Sequence, residues 1–143
     1  MELKTKYHGI HKYEKEDVIE FENGIPGFEN LKRYILFPID GNEAFKVLHS
    51  IEDSEIGIVV ISPFEVLKDY ELKLSNSLLN KLRINSYEEV LVLTTVNLNS
   101  NYRNITTNLR APIIINIKEK IGEQIILNTE KYLIKHPVFK EES

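Results

Sequence analysis

The sequence predicts a mainly β fold, namely a compact, antiparallel β-barrel-like single domain with one short helix. Eight short runs of β-forming residues follow one another, and Gly, Pro, Asn and Asp separate them. Two of the runs, GIVVI and VLVLTTV, are apolar on both faces, which is typical of strands buried within a sheet. Many short strands joined by tight turns favour a closed or nearly closed barrel.

In chain order, the first two predicted strands are ELKTKY, which alternates in polarity, and DVIEFE, which is short and rich in β-formers. The next three are RYILFPI, AFKVLHS and GIVVIS. The segment LSNSLLNKLRI then changes period, because leucines recur along it every three or four residues. With Ser75 as N-cap, this segment predicts a helix at about Ser75–Leu82. The last three predicted strands are EVLVLTTV, APIIINIK and EQIILN.

Length and composition set the expected domain organisation. With 143 residues, of which 42% are hydrophobic and 28% charged, the chain is expected to form one domain over residues 1–143. Residues 137–143 leave the β pattern and are expected to form a peripheral tail. The first residues lack the apolar core of a signal peptide, and no apolar run is long enough to cross a bilayer. We therefore expect a cytoplasmic location and no membrane contact.

The charge balance argues against direct binding of nucleic acid. The chain carries a net charge of −4, and its basic residues are scattered along the sequence. Acidic residues bunch between Glu14 and Glu22 and again between Glu52 and Glu55. Each bunch is either a solvated face or an acidic surface that steers a basic partner, and the sequence alone leaves both interpretations open.

No pattern of catalytic or cofactor-binding residues emerges. The chain has no cysteine and no G-x-S-x-G motif, and GIPGFENL lacks the Lys-Ser/Thr pair of a phosphate-binding loop. His8 and His11 are expected to be surface residues near a turn at Gly9, and His49 to lie at a strand end. We therefore expect no enzymatic activity, no cofactor and no metal site.

One segment, ENGIPGFENL, constrains its backbone conformation more than a barrel fold alone requires. Gly24 and Gly27 are able to take positive φ, and Pro26 fixes its own φ. Phe28 then begins an apolar-faced turn. The segment is predicted to be a tight structural loop.

Two further segments place unusual residues at strand ends. In ISPFEVLKDYEL, Pro63 is predicted to end strand pairing, with Phe64 and Tyr70 folding back onto the sheet. In TNLRAPIIIN, Asn108 is predicted to cap the local backbone with its side chain, and Pro112 to stand at a strand start or at a sheet edge. The isoleucines after this proline are predicted to be core. Turn chemistry and core packing are one interpretation of both segments, and a role in binding a partner is the other.

Together, the segments GIPGFENLKRYILFP, FKVLHSIEDSEIGIVVISPFEVLKDYEL, TTNLRAPIIIN, GEQIILN and YLIKHP resemble, in this order, the FliW family of flagellar assembly factors. The resemblance extends from about Val18 to Pro137. Its most specific part matches the family pattern at Asn108, Leu109, Ala111, Pro112 and Asn116, followed by Gln124. The resemblance implies a β-barrel-like fold with neither catalysis nor cofactor.

The resemblance also implies two protein partners, the RNA-binding translational repressor CsrA and flagellin. FliW-like proteins bind CsrA and relieve its repression of flagellin translation, and free flagellin competes for FliW. Flagellin synthesis and export are thereby coupled.

The expected partner-binding residues form a rim around one turn. They are Asn108, Leu109 and Arg110, with the Arg110 side chain in solvent, and Phe64 and Tyr70, both partly exposed. The other motif residues are expected to be structural: Gly24, Pro26, Gly27, Phe28, Pro63, Ala111, Pro112, Asn116 and Gln124.

Alternative functions come from other classes of protein. A small ligand-binding β-barrel, or an unrecognised hydrolase, would need a roomy interior with converging polar groups. The many Ile, Leu and Phe side chains are instead expected to fill a small barrel. Direct RNA binding through a β-surface would need a basic and aromatic strand pattern that the chain lacks.

Overall fold

The computed structural model describes residues 1–139. The strands in this part of the chain are β1 (Glu2–Lys4), β2 (Ile10–Lys12), β3 (Ile19–Glu20), β4 (Arg33–Ile39), β5 (Asn42–Ser50), β6 (Gly57–Ile61), β7 (Val90–Asn97), β8 (Thr106–Thr107), β9 (Ile113–Asn116), β10 (Ile121–Gln124) and β11 (His136–Pro137). The helices are α1 (Pro63–Val66) and α2 (Asn76–Lys81), and 3₁₀ turns lie at Lys15–Asp17, Tyr87–Glu89 and Tyr102–Asn104. The mainly β prediction is confirmed.

The predicted helix is α2, and its N-cap is the predicted one. The Ser75 hydroxyl accepts the Leu78 N–H at 3.1 Å, which satisfies one of the unpaired donors of the first turn. The single turn of α1, which begins at Pro63, adds a second helix to the one expected. With four and six residues, α1 and α2 are far shorter than crossing a bilayer requires.

Seven strands close into a ring. They pair in the order β7, β6, β5, β4, β3, β10 and β9, and β9 pairs back onto β7. Neighbours run antiparallel except at the contact of β3 with β10, where Glu20 and Ile121 pair in parallel. Strand β8 pairs antiparallel with the end of β7 and, on its other side, with β11, while β1 and β2 form a separate hairpin. The prediction of a barrel-like fold is therefore confirmed.

Both faces of β9 are covered, which explains why its sequence is apolar without alternation. Ile113 and Ile115 face the interior of the ring, in a cluster that includes Phe21. Ile114 points to the other side and packs in a second cluster with Leu78 of α2. Each of the three isoleucines is at most 1% exposed. The isoleucines after Pro112 are core, as predicted.

The ENGIPGFENL segment forms the predicted tight loop. Gly24 has φ +66°, and a Cβ at this position would lie 2.6 Å from the Glu29 carbonyl oxygen, so only glycine fits. Gly27 has φ +92°, and the Phe28 N–H donates to the Ile25 carbonyl at 2.7 Å across the turn. The intervening proline is exposed.

Aromatic and histidine rings join the β1–β2 hairpin to the main sheet. The His11 ring stacks on that of Phe37, with centroids 3.6 Å apart, and the His8 ring lies 6.0 Å from that of His49. His8 and His11 lie on either side of the turn at Gly9, as predicted, but they are half-buried rather than fully exposed. His49 lies near the end of β5, as predicted, but is fully buried.

The first residues of the expected tail are attached to the sheet. Pro137 belongs to β11, and the Val138 N–H donates to the Ile105 carbonyl at 3.0 Å. The Phe139 ring meets that of Tyr102 edge-on, with centroids 6.0 Å apart. The last four residues of this expected tail lie outside the described residues.

Candidate partner-binding surface

The turn at residues 108–110 is fixed by its own hydrogen bonds. The Asn108 Oδ1 accepts the Arg110 N–H at 3.0 Å, which makes the predicted local cap. The Asn108 N–H donates to the Thr95 carbonyl of β7 at 3.2 Å, and the Thr107 hydroxyl donates to the same carbonyl at 2.7 Å. The turn therefore leaves the sheet in one defined direction.

Two of the residues expected at the rim are buried beneath the turn. Leu109 is inaccessible to solvent and Tyr70 is only 3% exposed, so the expectation of a partly exposed Tyr70 is wrong. The Tyr70 hydroxyl donates to the Leu109 carbonyl at 2.8 Å. Burial, with a smaller effect of Tyr132, raises the pKa of Tyr70 to about 12, so this hydroxyl stays a donor at neutral pH. Both side chains hold the turn from the inside.

Arg110 is half-buried, and its guanidinium is used within the fold. Its Nε donates to the Tyr132 carbonyl at 2.5 Å, and its own carbonyl accepts the Leu127 N–H at 2.7 Å. Within residues 1–139 no carboxylate lies within 4 Å of it. Arg110, which was expected to point into solvent, therefore links the turn to the C-terminal segment by hydrogen bonds.

The segment that follows anchors the turn to β9 and β10. The Gln124 Nε2 donates to the Ala111 carbonyl at 2.8 Å. Pro112 directly precedes β9, which is its predicted place. Asn116 ends β9 and is fully buried, and its Nδ2 donates to the Leu82 carbonyl beyond α2 at 2.8 Å. These contacts join the turn to β9, β10 and the segment after α2.

Exposed apolar side chains surround the anchored turn. Phe64, in α1, is 45% exposed, and its ring meets that of Tyr70 edge-on with centroids 5.6 Å apart. Pro63 begins α1 just after β6 ends, as predicted. Leu133 and Ile134 are each 54% exposed, and the Leu133 carbonyl accepts an N–H from the turn at 3.1 Å.

We call Phe64, Asn108, Leu133 and Ile134 the turn surface. The sequence pattern identified Phe64 and Asn108 but missed the other two. The available signal was a pair of consecutive apolar residues in YLIKHP, outside every predicted strand.

The second acidic bunch serves local structure. The Glu52 carboxylate accepts the backbone N–H groups of Lys32 and Arg33 at 2.7 and 2.9 Å. Glu55 pairs with Lys6 at 2.8 Å. Two of the carboxylates in this bunch therefore already have partners within the chain.

Apolar side chains occupy the interior of the ring. A cavity of about 220 Å³ lies at one end, lined by residues that include His11, Phe37, Leu91 and Ile115. Typical ligand pockets have about 300–1,000 Å³. Within residues 1–139, no three His, Cys, Asp or Glu side chains are placed to hold a metal ion.

Comparisons with known proteins agree on one family. The family model described as FliW protein matches residues 2–138. A flagellar assembly factor FliW of Clostridium novyi (strain NT) is 62% identical over 141 residues, which are 99% of each chain. Another, of Clostridium botulinum (strain Okra / Type B1), is 59% identical over the full length of both chains. A crystal structure of the flagellar assembly factor FliW matches all of both chains with a TM-score of 0.88 and 33% identity. The chain belongs to the FliW family.

Proposed function

We propose that this protein is a cytoplasmic flagellar assembly factor that binds the translational repressor CsrA and flagellin. Binding of CsrA relieves repression of flagellin synthesis, and competition by flagellin couples synthesis to export. Membership of the FliW family and the names of the relatives support the general role. The proposal involves neither catalysis nor a cofactor.

The observation that carries the binding proposal is an apolar surface around a rigid turn. A protein interface gains most from apolar and aromatic side chains that are exposed before binding and held by a stiff backbone. Phe64, Leu133 and Ile134 are such side chains, and hydrogen bonds to a carbonyl of β7 and from the Tyr70 hydroxyl hold the turn beside them. Little conformational entropy is lost when such a surface binds.

The charge of the chain suits the first of the two partners. A repressor that binds RNA needs a basic RNA-binding face, and this chain carries a net charge of −4. Opposite charges raise the association rate more than they raise the affinity. We therefore expect association with CsrA to slow as ionic strength rises.

Calorimetry on purified, nuclease-treated proteins tests the proposal. We expect heat of binding with CsrA alone, without RNA, at micromolar concentrations. An absence of heat in this range would overturn the proposal for CsrA, and the same titration with monomeric flagellin tests the second partner.

A matched pair of variants tests the surface. Ile134→Glu places a charge on the turn surface and is expected to weaken binding of CsrA or flagellin at least tenfold, or by about 1.4 kcal/mol. Ile10→Glu makes the same change at a position that is 63% exposed in β2, and it should leave both affinities unchanged. Equal affinities in the two variants, both folded by circular dichroism, would exclude the turn surface as the interface.

A further inference from the structure

A surface groove of about 1,120 Å³ lies between the segment before β3, the start of β4 and the turn between β9 and β10. Five cationic side chains line it: Lys15, Arg33, Arg83, Lys118 and Lys120. We call this feature the basic groove. The apolar side chains of Val18, Ile51 and Ile121 also line it. It shares no residue with the turn surface.

The basic groove has an excess of positive charge in a chain whose net charge is negative. The groove has five cationic side chains and three carboxylates, those of Glu16, Glu20 and Glu119. The ion pairs Arg33–Glu20 and Arg83–Glu119 have N–O distances of 4.0 and 3.9 Å between largely exposed side chains, so they are weak. Within the described part of the chain, the three lysines of the groove have no carboxylate within 4 Å.

Two of these cations occupy strained backbone positions. Arg83 has φ +55° and Lys120 has φ +57°, and they are the non-glycine residues with positive φ among residues 1–139. Glycine or asparagine takes this conformation at less cost than a long side chain does. The fold needs the backbone here, because the Arg83 carbonyl accepts from Asn116 Nδ2 at 3.2 Å and the Lys120 N–H closes the β9–β10 turn at 2.8 Å. The fold makes no comparable use of the charged ends of these two side chains, which indicates that they serve a purpose outside the fold.

We propose that the basic groove binds an extended acidic segment of a protein partner. Carboxylates of that segment pair with the lysines and arginines of the groove, and an apolar side chain rests against Val18, Ile51 and Ile121. Charge complementarity selects the acidic partner. A nucleic acid fits less well, because the groove is lined by a single aromatic ring, that of Tyr13, on which bases could stack.

Fluorescence polarisation with a labelled peptide that alternates glutamate and leucine tests the inference. The decisive variant is Arg83→Gly with Lys120→Gly, which removes two cations while relaxing the backbone. We expect its melting temperature to be unchanged or higher and its affinity for the peptide to fall at least tenfold. Wild-type affinity should also fall as salt rises, because the contacts are exposed charges.

A matched control removes the same charge elsewhere. Lys68→Ala with Lys73→Ala changes two exposed lysines that do not line the groove, and it should keep the wild-type affinity. No binding of the peptide by the wild-type protein, or equal losses in the two double variants, would overturn the inference. Tighter binding of a single-stranded RNA of the same length than of the peptide would also overturn it, because the groove would then be a nucleic-acid site.

Discussion

The hydroxyl of Tyr70 joins the segment after α1 to the backbone of the anchored turn. It is buried and donates to the Leu109 carbonyl at 2.8 Å. Tyr70→Phe leaves that carbonyl without this donor, so we expect the free energy of unfolding to fall by about 1–2 kcal/mol. Urea denaturation at neutral pH measures this, with Tyr87→Phe, at a side chain that is 77% exposed, as the control. Equal stabilities of the two variants would show that this hydrogen bond contributes nothing.

The same residue gives the protein a dependence on alkaline pH. The pKa of Tyr70 is about 12 in the folded chain, because of burial first and Tyr132 second, and about 10 in an unfolded chain. The folded state therefore favours the protonated phenol, and this stabilisation is full below pH 10 and is lost as the pH rises through 12. Tyr34, whose pKa burial and then Glu52 also raise to about 12, acts in the same direction. The stability of Tyr70→Phe should fall less steeply above pH 10 than that of the wild type.

Single residues were predictable where local chemistry decides their conformation. Asn108 caps the backbone two residues away, and Pro112 stands before a strand because it lacks an N–H, so neither depends on distant parts of the chain. The exposure of Tyr70 and Arg110 was not predictable in this way. Arg110 is held by the carbonyl of Tyr132, which lies 22 residues further along the chain. Only the tertiary fold brings that carbonyl to the turn.

At the level of elements, α2 covers the outer face of β9. Ile114 is fully buried in the cluster that α2 completes. Ile114→Ala should lower the free energy of unfolding by about 2–5 kcal/mol, because it leaves a cavity between helix and sheet. Thermal and chemical denaturation measure this, with the exposed Ile10→Ala expected within about 0.5 kcal/mol of the wild type. An unchanged melting temperature in Ile114→Ala would contradict the packing described.

The two helices differ in how far the sequence reveals them. The leucine spacing of α2 and its cap at Ser75 are sufficient to predict it. By contrast, α1 has a single turn of four residues, too short for any periodicity, and only its proline at the first position marks it. Strands whose two faces are both covered, such as β9, were predictable from their continuous apolar runs.

At the scale of the whole molecule, the closure of the ring depends on close packing beside the contact of β3 with β10. A Cβ at Gly122 would lie 2.8 Å from the ring of the buried Phe21 and 3.1 Å from the Ile114 carbonyl. Gly122→Ala is therefore expected to cost about 1–3 kcal/mol by overpacking. Adding Phe21→Leu to this variant should cost less than Phe21→Leu does alone, which a double-mutant cycle measures. Additive effects would mean that the two sites do not touch.

A closed ring also determines how the protein can meet other chains. Since β9 pairs back onto β7, every strand of the ring has a neighbour on both sides, although β3 and β10 pair at a single position, and this leaves little edge for adding a strand from another molecule. Beyond the ring, β11 ends its side of the sheet, but it has two residues and one is Pro137, which has no N–H to donate. Strand addition and edge-to-edge aggregation are disfavoured together. A partner of the ring is therefore expected to be recognised mainly through side chains and turns.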